Sequence, residues 1–278
     1  MTLEASIQTL VQLALAEDLG AAGDVTSQAI ISTDATLQGH IVAKASGVIS
    51  GLPVLFTVYQ CIDPDVEINL NVRDGQVVTT GTVICTLAGR AQSLLTGERT
   101  ALNFLQRLSG ISTLTRQFVD AAAGTGAVIL DTRKTTPGWR LLEKYAVRMG
   151  GGQNHRIGLY DAVMLKDNHI AAAGSVTRAV EQVRAYPPAQ GLPIIVEVET
   201  LAQLAEVLPL KVDQVLLDNM DTPTMRRAVE MTAGQVALEA SGNMSLERVA
   251  EVAATGVNFI SVGALTHSAP AFDLSMRL

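Results

Sequence analysis

Six apolar runs recur through the second half of the chain: AVILDT (127–132), AVMLKD (162–167), IIVEVE (194–199), QVLLDN (214–219), QVALEAS (235–241) and NFISVGA (258–264). Runs this uniformly apolar suit strands buried on both faces, and their alternation with helical sequence predicts a parallel sheet or a β/α barrel. Six strands fall short of the usual eight. The pattern therefore favours an α/β fold with an incomplete barrel, and an open doubly wound sheet is the alternative.

Reactive side chains stand where these runs end: Arg133 and Lys134, Lys166 and Asp167, Glu197 and Glu199, Asp218 and Asn219, Glu239 and Ser241. In a parallel barrel the C-terminal strand ends converge on one face, where such folds place their sites. Solvation of a strand end explains any one of these residues. It does not explain their regularity.

The chain has 278 residues, a formal charge of −7, 48% hydrophobic and 17% charged residues. That composition suits a compact core and leaves little room for a long disordered tail. An acidic surface repels nucleic acid and anionic membranes, so any anion site must be local. One stretch fits: between 131 and 156, Arg133, Lys134, Arg140, Lys144, Arg148 and Arg156 face only Asp131 and Glu143, a local charge of +4. Arg140, Lys144 and Arg148 have the i, i+4, i+8 spacing of a solvated helix face, which leaves Arg133, Lys134 and Arg156 as the stronger anion ligands. Arginine grips carboxylates with two parallel hydrogen bonds, and several together point to a substrate with more than one anionic group.

GGGQNHR (150–156) offers a helix cap and a backbone able to approach a ligand, followed by His155 and Arg156. EASGNMS (239–245) and SVGALTHS (261–268) follow the last two strands with small residues, where barrels often bind phosphate. Glu197 and Asp218, on successive strand ends, could hold Mg²⁺ with waters and substrate phosphates; ion pairing with Lys166 is the structural alternative.

The first half has another rhythm. MTLEASIQTLVQLALAEDLG predicts an amphipathic helix rather than a cationic leader, and no run is apolar and long enough to span a membrane. Residues 37–52 and 66–89 alternate like a small antiparallel sheet with turns at Asp74-Gly75 and Gly81. Residues 91–123 read as a helical connector with Gly110 as a possible break. Cys61 and Cys85 stand apart among strand-like residues and are expected to be buried free thiols, in keeping with a cytoplasmic location.

DTRKTTPG, EKYAVRMGGGQNHRIGLYDAVMLKDNHI, GERTALNFLQRLSGIST and TGVNFISVGALTHS closely resemble the quinolinate phosphoribosyltransferase family, and the likeness runs from EDLGAAGDVTS to the C-terminus. The resemblance implies an α+β open-sandwich N-terminal domain over 1–110, with 268–278 packing back on it, and a barrel catalytic domain over 111–267. It implies transfer of phosphoribosyl from phosphoribosyl pyrophosphate to quinolinate, with decarboxylation, to give nicotinate mononucleotide, pyrophosphate and CO₂ in NAD biosynthesis.

By matched motif, Arg133, Lys134, His155, Arg156 and Lys166 would line the pocket, with Thr132 a further candidate contact. Glu197 and Asp218 would serve the ribose and Mg²⁺. Ser241, Gly242 and Asn243, with Val262, Gly263 and Ala264, would hold phosphate, and His267 follows the same pattern. Lys134, Lys166, Glu197 and Asp218 would be the catalytic residues. A homodimer is implied, with Arg99 reaching the neighbouring site.

Met149 stands where many relatives have cysteine, and Asn243-Met244 replaces a commoner Gly-Ile or Gly-Val; neither change removes a charged ligand. The alternatives are a related phosphoribosyltransferase of molybdenum-transport context with another acceptor, a Schiff-base lyase using Lys166, and a silent paralogue. The arginines disfavour the second. The complete set of charged motif positions disfavours the third.

Overall fold

The computed structural model describes residues 1–278. The chain runs through α1 (Leu3–Leu19), α2 (Val25–Ile30), β1 (Thr36–Ala43), β2 (Gly47–Val48), α3 (Leu52–Ile62), β3 (Glu67–Leu70), β4 (Val77–Val78), β5 (Val83–Arg90) and α4 (Ala91–Ala121). It continues through β6 (Val128–Leu130), α5 (Arg140–Met149), β7 (Val163–Leu165), α6 (Asp167–Ala173), α7 (Val176–Ala185), β8 (Ile194–Val198) and α8 (Leu201–Val207). The last elements are β9 (Gln214–Asp218), α9 (Thr222–Thr232), β10 (Ala237–Ser241), α10 (Leu246–Ala253), β11 (Phe259–Ser261), α11 (Ala264–His267) and β12 (Leu274–Arg277). No helix is long and apolar enough to cross a membrane.

Two compact units interleave along this order. The first comprises Met1–Arg116, Thr135–Gly151 and Thr266–Leu278. Its sheet is antiparallel, in the order β12-β1-β5-β3, as the alternating sequence predicts. The C-terminal segment returns to it, with β12 pairing β1 from His40↔Arg277 to Ala43↔Leu274. Local signals set the helix starts: the Thr2 hydroxyl accepts from Ala5 N at 3.2 Å and opens α1, and the Asp24 carboxylate accepts from Ser27 N at 3.0 Å and opens α2.

Three expectations change in this unit, and its extent runs beyond a single stretch of chain. Helix α4 continues unbroken through Gly110, where a Cβ would stand 2.0 Å from the Pro270 carbonyl oxygen. The glycine is there for close approach, not as a break. The segment 135–151, which a single cut after residue 110 gives to the catalytic domain, belongs in space to this first unit. Trp139 stacks on Phe104 with ring centroids 4.7 Å apart, Glu143 accepts from Arg107 at 3.1 Å, and the Tyr145 hydroxyl donates to Asp74 at 2.6 Å.

Of the three α5 cations, Arg148 is exposed as expected and Arg140 half-buried, but Lys144 is 1% exposed, on the side of α5 that also buries Leu142, Glu143, Ala146 and Val147. Both cysteines are free, yet only Cys85 is buried, and burial pushes its thiol up to about 12. Cys61 lies exposed on the last turn of α3, a helix rather than a strand.

The second unit comprises Gln117–Lys134 and Gly152–Leu265 and holds the six predicted strands as one parallel sheet, ordered β6-β11-β10-β9-β8-β7. Its first strand in sequence pairs with its last, Phe259↔Val128 to Ser261↔Leu130. Pairing of the first strand with the last is what the expected incomplete barrel requires, since it brings the start of the sheet back beside its end. The ladder opens between β6 and β7, where Gln153 makes an isolated parallel bridge to Leu130.

Asp63 yields a stability test. It is 3% exposed and accepts from the Ser93 hydroxyl at 2.7 Å, from Asp65 N at 3.1 Å, and from Arg90 Nε and Nη2 at 2.9 and 3.1 Å. The Ser93 bond foremost, then the Asp65 amide and Arg90, lower its pKa against the opposing effect of burial. A carboxyl with a depressed folded pKa contributes stability above its unfolded value and loses it as pH falls through the folded one. Asp63→Asn should therefore lower Tm at pH 7, with the gap to the parent closing as the pH drops below about 4. Thermal melts at stepped pH measure this.

Candidate active site

Alternation along the second unit's strands decides what faces the sheet's interior. Ala162, Ile195 and Leu216, with Met164, pack as one apolar cluster. Two residues further on, pointing the same way, come Lys166 after Met164, Glu197 after Ile195 and Asp218 after Leu216. Register adds Ser241, paired with Asp218 across β9 and β10. An apolar floor thus carries a tier of one cation, two acids and a hydroxyl at the C-terminal strand ends.

Within that tier the Lys166 ammonium pairs with Glu197 Oε2. Lys166 N donates to His169 Nδ1 at 3.0 Å, so His169 serves the first turn of α6. Asp218 Oδ2 accepts from Asn219 Nδ2 at 2.7 Å.

The cations come from two loops tied together by one buried acid. Asp131, 0% exposed, accepts from Asn154 Nδ2 at 2.6 Å and from His155 N at 2.8 Å, and its own N–H donates to Gln153 O at 3.1 Å. This binds the segment 131–134 to GGGQNHR and brings Arg133 near Arg156. The Arg156 guanidinium donates to Ala162 O at 3.1 Å and contacts Met164 Sδ at 3.5 Å. Burial first, then the like charge of Arg133, lowers its pKa. A second guanidinium close enough to disfavour the charge on Arg156 makes an anion-binding arrangement.

Thr132 Oγ1 accepts from Lys134 N at 3.1 Å, a local turn that leaves Lys134 exposed. The glycines of GGGQNHR have structural duties. Gly150 caps α5, and a Cβ there would lie 2.5 Å from Ser112 O; Gly151 takes φ 93°. His155 is held through both ring nitrogens, with Nδ1 accepting from Arg156 N at 2.7 Å and Nε2 facing Glu239 Oε2 at 3.1 Å.

The loop after β10 is built for close approach. Gly242 takes φ 95° and Asn243 φ 49°, while Arg248 spans two loops by donating to Gly242 O at 3.1 Å and Met220 O at 2.7 Å. After β11, Val262 is 1% exposed and its N–H goes to Leu130 O at 2.9 Å. Gly263 and Ala264 follow it at the start of α11. Arg99 and His267 belong to the first unit, so the tier in the second is assembled without them. His267 Nδ1 lies 2.6 Å from its neighbour Ser268 Oγ.

Glu239 stands among the strand-end residues of the sequence with no role assigned there, and Asp131 enters only as a charge. An acid inside or against an apolar run was the available signal. Chemically, the arrangement can bind a polyanion and stabilise charge as it builds on a departing oxyanion.

Comparison with known proteins divides the chain at residue 110. Residues 24–109 match the family model of the quinolinate phosphoribosyl transferase N-terminal domain, and residues 111–277 that of the C-terminal domain. A Synechocystis protein named probable nicotinate-nucleotide pyrophosphorylase (carboxylating) is 48% identical over 269 residues, covering 95% of this chain and 90% of its own. A mitochondrial quinolinate phosphoribosyltransferase (decarboxylating) of Nicotiana tabacum is 43% identical, covering 98% and 82%. The solved nicotinate-nucleotide pyrophosphorylase of Francisella tularensis superposes with a TM-score of 0.95 at 39% identity, covering 100% and 97%.

The Gly242 geometry is testable without any assay. A Cβ there would stand 2.1 Å from Asn219 Oδ1 and 3.0 Å from Asn219 N. The positive φ alone costs a residue with a Cβ about 1–2 kcal/mol. Gly242→Ala should lower Tm by several degrees, while Gly81→Ala, at φ 90° with open space around it, should show the φ penalty alone.

Proposed function

The chain belongs to the quinolinate phosphoribosyltransferase family, and on that premise we propose how its residues divide the reaction. It is a pentosyltransferase that joins quinolinate to the phosphoribosyl group of phosphoribosyl pyrophosphate with loss of CO₂, giving nicotinate mononucleotide and pyrophosphate in NAD biosynthesis. The observation that carries the assignment of roles is the Arg133 and Arg156 pair beside the Lys166, Glu197 and Asp218 tier.

The guanidiniums receive the two quinolinate carboxylates and hold the ring nitrogen toward ribose C1. Orientation of that kind supplies much of a bimolecular rate. The ring nitrogen attacks C1 as pyrophosphate leaves, and Lys134 and Lys166 offset the charge that builds on the leaving group. The ring nitrogen is then cationic and stabilises the carbanion left on the adjacent ring carbon when its carboxylate departs as CO₂, and a proton from water takes the place of the lost carboxylate. Glu197 and Asp218 orient the ribose hydroxyls.

Gly242 and Asn243, with Ser241, receive the 5′-phosphate, and Gly263 and Ala264 add main-chain donors. Val262 contributes packing, since its N–H is committed. Thr132 acts by shaping the turn that aims Arg133 and Lys134. His155 acts through Arg156, since protein groups hold both of its ring nitrogens.

Mg²⁺ is part of this proposal. No group of three or more acidic, histidine or cysteine side chains forms a metal cage, and the donor set instead suits a cation that arrives with substrate phosphates and takes one or two carboxylates. Glu197 and Asp218 would hold it, and it would neutralise pyrophosphate charge. The homodimer is proposed likewise: Arg99 is exposed on α4 and would serve the site of a second copy. Two unpaired cysteines, one exposed, support a reducing, cytoplasmic location.

Purified protein given quinolinate, phosphoribosyl pyrophosphate and Mg²⁺ should yield equal amounts of nicotinate mononucleotide and CO₂. Arg133→Ala should raise KM for quinolinate about tenfold or more; unchanged kinetics would remove Arg133 from the pocket. Asp218→Asn should shift the Mg²⁺ titration to higher concentration, and a titration matching the parent would refute its metal role. Arg99→Ala and Lys166→Ala, each inactive alone, should regain activity on mixing and subunit exchange if Arg99 serves the neighbouring site.

A further inference from the structure

One buried acid in the barrel has no part in the reaction as described. Glu239 lies on the inner face of β10, two residues before Ser241, and is 0% exposed. Its Oε2 accepts from Gln214 Nε2 and faces His155 Nε2 at 3.1 Å; its Oε1 is buried without a hydrogen-bond partner. A buried carboxylate left half-satisfied is costly, and an apolar residue of similar volume would be cheaper for stability alone.

The geometry around His155 shows what the acid acts on. Nδ1 accepts from Arg156 N at 2.7 Å, which assigns the ring proton to Nε2, the nitrogen facing Glu239. The main-chain N–H of His155 is held by Asp131 Oδ1 at 2.8 Å. The ring is thus a strut between Glu239 at one end and the backbone of Arg156 at the other.

We propose that Glu239 is a positioning residue: by accepting from His155 Nε2–H it fixes the tautomer and orientation of the imidazole, which in turn holds the Arg156 backbone so that its guanidinium meets the dicarboxylate. This rests on Arg156 contacting quinolinate, as proposed above. Glu239 itself touches no substrate. Its influence falls on the affinity for one of the two substrates and not on the chemical step.

The test uses the full-length enzyme and two readouts. Glu239→Ala should raise KM for quinolinate about tenfold, the loss of one buried hydrogen bond to an acid. KM for phosphoribosyl pyrophosphate and kcat should stay within about threefold of the parent. Glu239→Gln, whose amide oxygen still accepts from Nε2–H, should restore the quinolinate KM. Glu239→Asp keeps the charge and withdraws the acceptor, so it supplies the same reading should the alanine variant fail to fold.

Independently of activity, ¹⁵N chemical shifts of the His155 ring should report the Nε2–H tautomer in the parent and the glutamine variant, and a mixture of tautomers in the alanine or aspartate variant. Equal rises in both KM values, or an unchanged quinolinate KM with an unchanged tautomer, would overturn the proposal. Arg156→Ala separates the premise. If it leaves quinolinate KM unchanged, the pocket assignment fails, while the tautomer result still judges the strut itself.

Discussion

Side-chain direction repeats every second residue along a strand, so the parallel register of the six-stranded sheet is the constraint that assembles the site. Pairing Leu165 with Val196 sets Lys166 beside Glu197, and pairing Ser241 with Asp218 sets hydroxyl beside acid, all at the C-terminal ends of the strands. Slipping one strand by a residue would turn its polar group outward and lift a core residue from the floor. Ile195 and Leu216, each about 5% exposed or less, resist that slip. Their burial contributes about 1.5–3 kcal/mol apiece. The apolar cluster thereby stabilises the fold and keeps the chemical groups in line.

The chain is acidic overall and cationic where it needs to be. What gathers the cations is not mutual attraction but Asp131, whose two oxygens and amide fasten one loop to the next. Arg133 and Arg156 then stand near each other, and in the reading proposed above a bound dianion would offset their like charge. Binding energy of this kind is realised only with the right ligand, and that links loop packing to substrate choice.

Two acids of the first unit show how environment sets an acid's character. Arg90, Ser93 and a backbone amide surround Asp63, and its pKa falls. Asp74 receives the Tyr145 hydroxyl and the N–H groups of Gly51 and Leu52, all neutral donors, and there burial prevails and its pKa rises. Tyr145 is pushed up in turn, by burial first and then by its bond to Asp74. One of these acids anchors β5 and α4 to the end of α3, and the other ties α3 to α5.

From sequence alone, the six apolar runs, the parallel sheet, the antiparallel sheet of the first half and the residues at the strand ends could be read, because periodicity records burial and direction along a single element. Tertiary structure alone decided that α4 passes through Gly110, that Lys144 is buried, that Cys61 is exposed, and that 135–151 joins the first unit. Each of these depends on what a residue meets from a distant part of the chain. The clearest case is His155, which the motif marks as a ligand contact and the fold holds against Glu239, 84 residues away. Local pattern carries no information about that partner, since the distance between two buried polar groups is set by the packing of strands between them.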